Sequence, residues 1–155
     1  MAQENIMEVR KIENGTVVDH IPSEALFQII KIMALDRDLE HRMTIGTNLE
    51  SKRLGSKAII KINDRYLAPE EIDRIALVAP DAMVNTIRDY AVVEKRQVTV
   101  PAHIEGFVRC ANPMCVTNHQ PVETAFEVVE RGGELALRCR YCEKLTTRAQ
   151  MQIRK

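Results

Sequence analysis

Four cysteines lie in the last third of the chain and form two close pairs. Four residues lie between Cys110 and Cys115, two lie between Cys139 and Cys142, and 23 lie between the two pairs. Two such pairs can bring four thiolates to the corners of a tetrahedron, the geometry that a structural zinc ion takes. Four protein ligands leave no open coordination position, so the pattern predicts a structural zinc and not a catalytic one.

The segment between the two cysteine pairs supports this prediction. Residues 125–130 and 134–138 are extended runs, and Gly132-Gly133 between them is typical of a hairpin turn. A module of about 55 residues with few large apolar side chains is hard to stabilise by its core alone, which gives a metal a role in folding. A redox dithiol is disfavoured because the Cys-x-x-Cys motif has a partner pair. An iron site of the rubredoxin type is disfavoured because it normally has two Cys-x2-Cys pairs, and the spacing of the first pair here is wider.

A second candidate site depends on how the N-terminal part folds. Hydrophobic periodicity predicts helices at 23–35 and 69–79. Residues 50–57 are expected to connect two strands, and a short extended run at 9–12 comes first. The expected strands and extended runs cover 16–21, 43–49, 58–63, 82–87 and 90–98. From Thr16 onward this order is β-α-β-β-α-β, the ferredoxin-like plan, so we expect an α+β protein with a C-terminal antiparallel zinc ribbon.

In that plan the first and third strands are neighbours and the last strand flanks the first. Asp19, His20, Lys61 and Lys95 are therefore expected on three adjacent strands. Lysines can bind phosphates as point charges, while the aspartate or histidine could contact a ribose or a base. The alternative is that both lysines are ordinary solvated positions. Gly15, Gly46 and Gly55 stand singly, so this part of the sequence has neither a P-loop nor a dinucleotide fingerprint.

Charge and composition divide the chain and narrow its function. Acidic side chains exceed basic ones by two in residues 1–100, while basic side chains exceed acidic ones by two in residues 101–155, so we place a domain boundary there. The zero net charge and the lack of tryptophan argue against nucleic acid as the main partner. We expect no membrane span, because no apolar run approaches about 20 residues, and a cytoplasmic location, because no secretory signal is evident.

Several motifs, in order along essentially the whole chain, resemble the aspartate carbamoyltransferase regulatory chain family. They are residues 15–22 (GTVVDHIP), 44–49 (TIGTNL), 60–62 (IKI), 79–85 (APDAMVN) and 139–144 (CRYCEK). The resemblance implies a non-catalytic subunit that controls pyrimidine biosynthesis. Its N-terminal domain would bind CTP and UTP as inhibitors and ATP as activator. Its zinc domain would dock on catalytic chains, and three dimers, paired through their N-terminal domains, would bridge two catalytic trimers.

The resemblance also assigns residues. The nucleotide site of the family falls on Asp19, His20, Lys61 and Lys95. Further contacts implied for the nucleotide are Val9, Ile12, Val17, Lys57, Ile59, Asn85, Tyr90 and Val92. The interface with the catalytic chain falls on Asn112, Arg131, Glu143 and Lys144.

Two other function classes are weaker. A zinc-ribbon protein that binds nucleic acid could use a basic stripe, but few aromatic residues accompany it. The stripe consists of Arg138, Arg140, Lys144 and Arg148. An independent enzyme would need a nucleophile with a base, and all four thiols are assigned to the metal. Asp19 and His20, as neighbours on a regular strand, would point to opposite faces and make a poor acid–base pair.

Overall fold

The computed structural model describes residues 11–52 and 54–153. The chain forms two compact units that divide between Thr99 and Val100. Each unit has its own antiparallel sheet. No helix among the described residues is long and apolar enough to cross a membrane.

The first unit is a five-stranded sheet with two α-helices. Its strands are β1 (Gly15–Pro22), β2 (Met43–Ser51), β3 (Gly55–Asn63), β4 (Met83–Arg88) and β5 (Ala91–Gln97). Its helices are α1 (Leu26–Ile32) and α2 (Pro69–Val78), with short 3-10 segments at Ser23–Ala25 and Leu35–Arg37. The strand order is β2-β3-β1-β4-β5. The first four strands follow the predicted ferredoxin-like order, and β5 is added at the edge.

Alternation along the strands separates the two faces of this sheet. Val18, Ile60 and Ile62 are fully buried, together with Leu26 and Ile75 from the two helices. Successive side chains of a strand point to opposite faces, so these residues mark a helix-covered face. The opposite face, which carries Val17, Lys61, Asn85 and Lys95, is called the outer face below. It has a small apolar cluster of its own, formed by Ile12, Val17, Ile87 and Ile59.

Three local predictions need correction. The predicted helix over 23–35 has only seven α-helical residues, because a 3-10 turn precedes it and Ala34 takes a left-handed conformation after it. The predicted connection over 50–57 is a tight hairpin, since β2 extends to Ser51 and β3 begins at Gly55. In the predicted run 9–12, Val9 lies outside the described residues and Ile12 belongs to no strand.

An ion-pair network fixes the start of α2. Pro69 occupies the first helical turn, and a Glu71 carboxylate oxygen accepts a hydrogen bond of 3.0 Å from the Ala68 N–H. The Arg65 guanidinium contacts the other Glu71 oxygen at 2.6 Å and Asp38 at 3.0 Å. Asp38 lies beyond α1, so Arg65 ties the segment after α1 to the first turn of α2.

The second unit is a four-stranded antiparallel sheet. Its strands, in spatial order, are β6 (His103–Glu105), β7 (Ala125–Arg131), β8 (Glu134–Cys139) and β9 (Leu145–Thr147). The predicted β7–β8 hairpin is confirmed, with Gly132 and Gly133 both at positive φ in the turn. The core is small and centres on Phe126, Leu137 and Val108.

Candidate functional site

The four cysteines converge in the second unit as the spacing predicts. Their Sγ atoms all lie within 4.8 Å of one another. The Sγ–Sγ distances are 3.7 Å for Cys110–Cys142 and 3.7 Å for Cys115–Cys139. A tetrahedron with Zn–S bonds of about 2.3 Å has edges of about 3.8 Å. The cluster therefore suits a four-coordinate metal, and none of the four cysteines is in a disulfide.

Two tight turns hold the sulfurs in place. Cys139 ends β8, and the chain turns back through hydrogen bonds from Glu143 N to Cys139 O (2.9 Å) and from Cys139 N to Lys144 O (3.0 Å). Glu143 takes φ +65° to close this turn. In the other turn, the N–H of Cys115 donates to Asn112 O at 3.0 Å. The sequence between the paired cysteines thus forms the turns that aim both sulfurs of each pair at one point.

Burial and hydrogen bonds shift the pKa values of three of the four thiols. Burial raises the pKa of Cys110 to about 12 and also raises the pKa of Cys139. For Cys142, burial opposes ionisation, but hydrogen bonds from the Asn112 side chain and the Lys144 N–H are stronger in sum and lower the pKa to about 7. A metal cation is therefore needed to hold Cys110 and Cys139 as thiolates near neutral pH.

Supporting donors to sulfur are details that the sequence does not reveal. The Thr117 hydroxyl donates to Cys115 Sγ at 3.2 Å, and the Tyr141 N–H donates to Cys139 Sγ at 3.4 Å. Thr117 is 1% exposed, so this contact to sulfur is shielded from water. Such outer contacts orient metal ligands and stabilise their charge. The signal in the sequence was a threonine two residues after a ligand, and its burial became evident only in the structure.

Four predicted nucleotide residues form one row across the outer face. Lys61 on β3 lies opposite Val17 on β1, Val17 lies opposite Asn85 on β4, and Asn85 lies opposite Lys95 on β5. Directly opposed residues in an antiparallel sheet share a face. The expectation that Lys95 lies on a strand next to β1 is wrong, because β4 takes that place and Lys95 is on the edge strand. Lys61 and Lys95 nevertheless lie in the same row, with Val17 and Asn85 between them.

A β-bulge brings Asp19 and His20 to this face. The pairing of β1 with β3 shifts between Val18 and Ile21, so Asp19 and His20 lie opposite the single residue Ile59. His20 takes φ +57°, and Val18 and Ile21 on either side are both fully buried. The prediction that the two side chains point to opposite faces is therefore wrong, because β1 is not regular here. Asp19 accepts a hydrogen bond of 2.6 Å from the His20 backbone N–H.

Charges on the outer face are arranged around Asp19. Its carboxylate contacts Lys57 Nζ at 2.9 Å and accepts the His20 N–H at 2.6 Å. Lys61 is only 8% exposed. Burial lowers the pKa of Lys61, the negative charge of Asp19 opposes this effect, and nearby Lys11 lowers it further. A buried lysine is not an ordinary solvated strand position, which removes the alternative reading for Lys61.

Unpartnered polar atoms concentrate at the same place. Among the described residues, three buried side-chain polar atoms have no hydrogen-bond partner: His20 Nδ1, Asn63 Oδ1 and Asn85 Oδ1. Native proteins leave few buried polar groups unsatisfied, so each such group needs an explanation. His20 lies in the bulge, and Asn63 and Asn85 are in register with outer-face residues of β1. A polar ligand on this face would supply the missing partners.

The remaining predicted nucleotide residues surround the row. Ile12, Val17 and Ile59 belong to the outer-face apolar cluster, and Val92 lies opposite its fourth member, Ile87. Tyr90 is 61% exposed, in the β4–β5 turn. The face thus combines an apolar patch, suited to a base or ribose, with lysines suited to phosphates.

Comparison with known proteins matches both units to one family. Residues 7–99 match the aspartate carbamoyltransferase regulatory chain, allosteric domain, and residues 102–152 match the metal binding domain of the same chain. The chain belongs to the aspartate carbamoyltransferase regulatory chain family. It is a regulatory chain with an allosteric and a metal-binding domain, and it is a non-catalytic subunit.

Individual relatives agree with this assignment. The regulatory chain of Porphyromonas gingivalis (strain ATCC 33277) is 52% identical over 138 residues, which cover 89% of this chain and 90% of the relative. The regulatory chain of Phocaeicola vulgatus is 49% identical over 138 residues, covering 89% and 88%. That of Thermococcus gammatolerans is 46% identical over 138 residues, covering 89% and 91%.

The predicted interface residues of this regulatory chain do not all lie together. Asn112, Glu143 and Lys144 lie in the turns around the cysteine cluster. Arg131 is at the tip of the β7–β8 hairpin, opposite Glu134. Glu134 and Cys139 are the two ends of β8, five residue steps apart, so Arg131 lies roughly 17 Å from the cluster.

The basic stripe offers little support for nucleic-acid binding by the regulatory chain. Arg138 faces Glu127 at 3.7 Å, and Arg148 faces Glu134 at 3.9 Å. Two of the four cations thus have acidic neighbours, which lowers the positive potential that phosphates would meet.

Proposed function

We propose that the outer face of the first unit, within residues 1–100, binds the effectors CTP, UTP and ATP. The observation that carries this proposal is the row from Lys61 through Val17 and Asn85 to Lys95, beside the unpartnered nitrogen of His20. Cations, an apolar surface and unsatisfied polar atoms occur together there, as a nucleoside triphosphate requires. CTP and UTP are expected to inhibit and ATP to activate.

Each residue type has a distinct part in this proposal. Lys61 and Lys95 contact the phosphates and ribose, while Asp19 and His20 fix the orientation of the nucleotide. Lys57 is a further expected contact of the nucleotide, and its ion pair with Asp19 also holds that carboxylate in place. The other expected contacts are Val9, Ile12, Val17, Ile59, Asn85, Tyr90 and Val92; Val9 lies outside the described residues.

Calorimetric titration with CTP tests the site. A charge-assisted contact contributes about 1.5–3 kcal/mol, so Lys61→Ala should weaken CTP binding by about ten- to a hundredfold. Lys31→Ala is the matched control, because Lys31 is on α1 and makes only an exposed ion pair with Asp36. If Lys61→Ala and Lys95→Ala both bind CTP like the parent, the nucleotide site is elsewhere.

The metal in the second unit is zinc, one per chain, held by Cys110, Cys115, Cys139 and Cys142. When bound, it supplies folding free energy and no chemistry of its own, because four thiolates leave no open position. The chain holds the site ready through its two turns and through the Thr117 and Tyr141 donors. Metal analysis of gently purified protein should find one zinc per chain. Less than half an equivalent, or a rubredoxin-like visible spectrum, would contradict the assignment.

The zinc domain, within residues 101–155, docks on the catalytic chain. The surface around the cysteines fits this role, because Met114 is 81% exposed and Tyr141 is 49% exposed there. Exposed apolar side chains beside charged ones are typical of an interface. Asn112, Glu143 and Lys144 would contact the partner at this surface, and Arg131 would extend the contact along the hairpin.

In the assembled cytoplasmic enzyme, regulatory chains pair through their N-terminal domains, and three such dimers bridge two catalytic trimers. Effector binding changes catalysis through a coupling free energy, on the order of 1–3 kcal/mol, between distant sites. Co-purification with the catalytic chain, followed by activity titrations with CTP, UTP and ATP, tests this. A complex whose activity responds to none of the three nucleotides would refute the allosteric role.

A further inference from the structure

A cavity lies on the helix-covered face of the first sheet, at the edge formed by β4 and β5. Thr16 on β1 lies opposite Thr86 on β4, and Thr86 lies opposite Glu94 on β5. Arg96 lies opposite Val84. These positions alternate with the outer-face residues, so they belong to the other side of the sheet. All seven residues of β5 are exposed although Val84 is buried, so the cover that the helices provide ends at β4.

The size and lining of this cavity suit a small charged molecule. Its volume is about 230 Å³, which is less than a pocket for a drug-sized ligand normally needs. Its apolar wall includes Leu67 and Ile72, and its polar lining includes Arg88, Glu94 and Arg96. The cavity thus offers a short apolar surface beside three charges.

The wall formed by the segment before α2 is held in place. The Thr16 hydroxyl donates to Arg65 O at 2.6 Å, and the Tyr66 hydroxyl donates to Ile87 O at 3.3 Å. The Arg88 guanidinium lies 4.5 Å from the centre of the Tyr66 ring, which is a cation–π contact. This contact orients Arg88 at the cavity but leaves its positive charge without a counter-ion.

The three charged side chains have no ion-pair partners of their own. Glu94 and Arg96 are two residues apart on one face of β5, and Arg88 extends from the end of β4. Over residues 11–52 and 54–153, no salt bridge within 4.0 Å involves any of the three. Charges on an exposed edge strand can also prevent pairing with another chain. That role requires neither a cavity nor an aromatic ring that orients Arg88.

From this arrangement we propose that the cavity binds a small acidic amino acid, with its two carboxylates on Arg88 and Arg96 and its ammonium group on Glu94. Guanidinium groups suit carboxylates because they present paired N–H donors. Glu94 supplies the negative partner that the ammonium group needs, and Leu67 and Ile72 contact the short carbon chain. The site lies on the opposite face of the sheet from the proposed nucleotide site and does not depend on it.

Titration of the full-length, zinc-loaded chain with L-aspartate and with L-glutamate, followed in amide NMR spectra, tests the proposal. At least one of them should bind saturably and shift the amide resonances of Arg88 and Arg96, while that of Lys61 on the outer face stays unchanged. Arg96→Gln should weaken this binding by about three- to tenfold, since an exposed contact is screened by water and salt. Arg96→Lys should recover only part of the affinity, because it keeps the charge and loses the paired donors. Arg37→Gln is the matched control, because Arg37 is an exposed arginine in the 3-10 segment after α1, and it should bind like the parent.

Glu94→Gln separates the ammonium contact from a general attraction of anions. It should weaken the binding of the amino acid. It should strengthen the binding of succinate and glutarate, which lack the ammonium group, since it removes a negative charge beside two arginines. If Glu94→Gln changes both affinities in the same direction, or neither, the ammonium contact is wrong.

The remaining outcomes decide whether the cavity is a site at all. If neither amino acid binds saturably, or if Arg96→Gln binds like the parent, the proposal fails and the charges serve to protect the edge strand. Inorganic phosphate that binds as tightly as the amino acid would overturn the choice of ligand. Unchanged thermal unfolding midpoints for Arg96→Gln and Glu94→Gln verify that folding does not account for the result. Failure here leaves the nucleotide site standing, because that site is on the outer face.

Discussion

Replacing Cys139 with alanine should release the metal and unfold the second unit while the first unit stays folded. Cys139 is fully buried, ends β8, and contributes its sulfur to a cluster whose members lie within 4.8 Å of one another. A structural zinc contributes about 10–16 kcal/mol of apparent folding free energy at neutral pH, whereas a whole domain is stable by only about 5–15 kcal/mol. The small core around Phe126 and Leu137 cannot offset a loss of that size.

The assay combines zinc analysis with two-dimensional amide NMR spectra of the full-length chain. The variant should lack zinc, and the resonances of residues 103–153 should collapse to random-coil positions while those of the first unit keep their dispersion. Met114→Ala is the matched control, because Met114 lies between the first two ligands but is 81% exposed. It should retain one zinc. A metal-free Cys139→Ala chain with native dispersion throughout would refute the reasoning that the metal stabilises this unit.

Three further predictions follow from particular contacts. Because burial raises the pKa of Cys110 to about 12, zinc must displace a proton there, so zinc affinity should fall as pH is lowered, as measured by zinc release to a chelator. For Asp38, burial raises the pKa, but hydrogen bonds from the His41 and Glu40 backbone and from the His41 ring lower it to about 2. The stability that this carboxylate contributes is therefore present above about pH 4 and lost as pH falls towards 2, and Asp38→Asn should flatten that loss in thermal unfolding. Gly15→Ala should destabilise the first unit by roughly 2 kcal/mol or more in denaturant unfolding, since Gly15 has φ +140° and an added Cβ would overlap Ile62 O.

The sequence by itself determined the metal site and the order of the elements. The cysteine spacing was enough to predict the metal site, because only a few short turns can connect the two ligands of a pair. Gly132-Gly133 marks the hairpin that connects the two pairs. The alternation of apolar and polar residues, as at Ile60 and Ile62, was enough to predict strands that bury one face. Family motifs identified the chain as a regulatory chain, since they extend over both units.

Only the tertiary structure decided how the outer face is assembled. Strand order is a long-range property, so nothing local revealed that β4 separates Lys95 from β1. The bulge that brings Asp19 and His20 to one face depends on the register against Ile59 of a distant strand. The burial of Lys61 likewise results from packing by elements far away in the sequence. The hydrophobic periodicity of a sequence indicates only which face a regular strand buries. Irregular pairing, such as the bulge in β1, is set by contacts between strands.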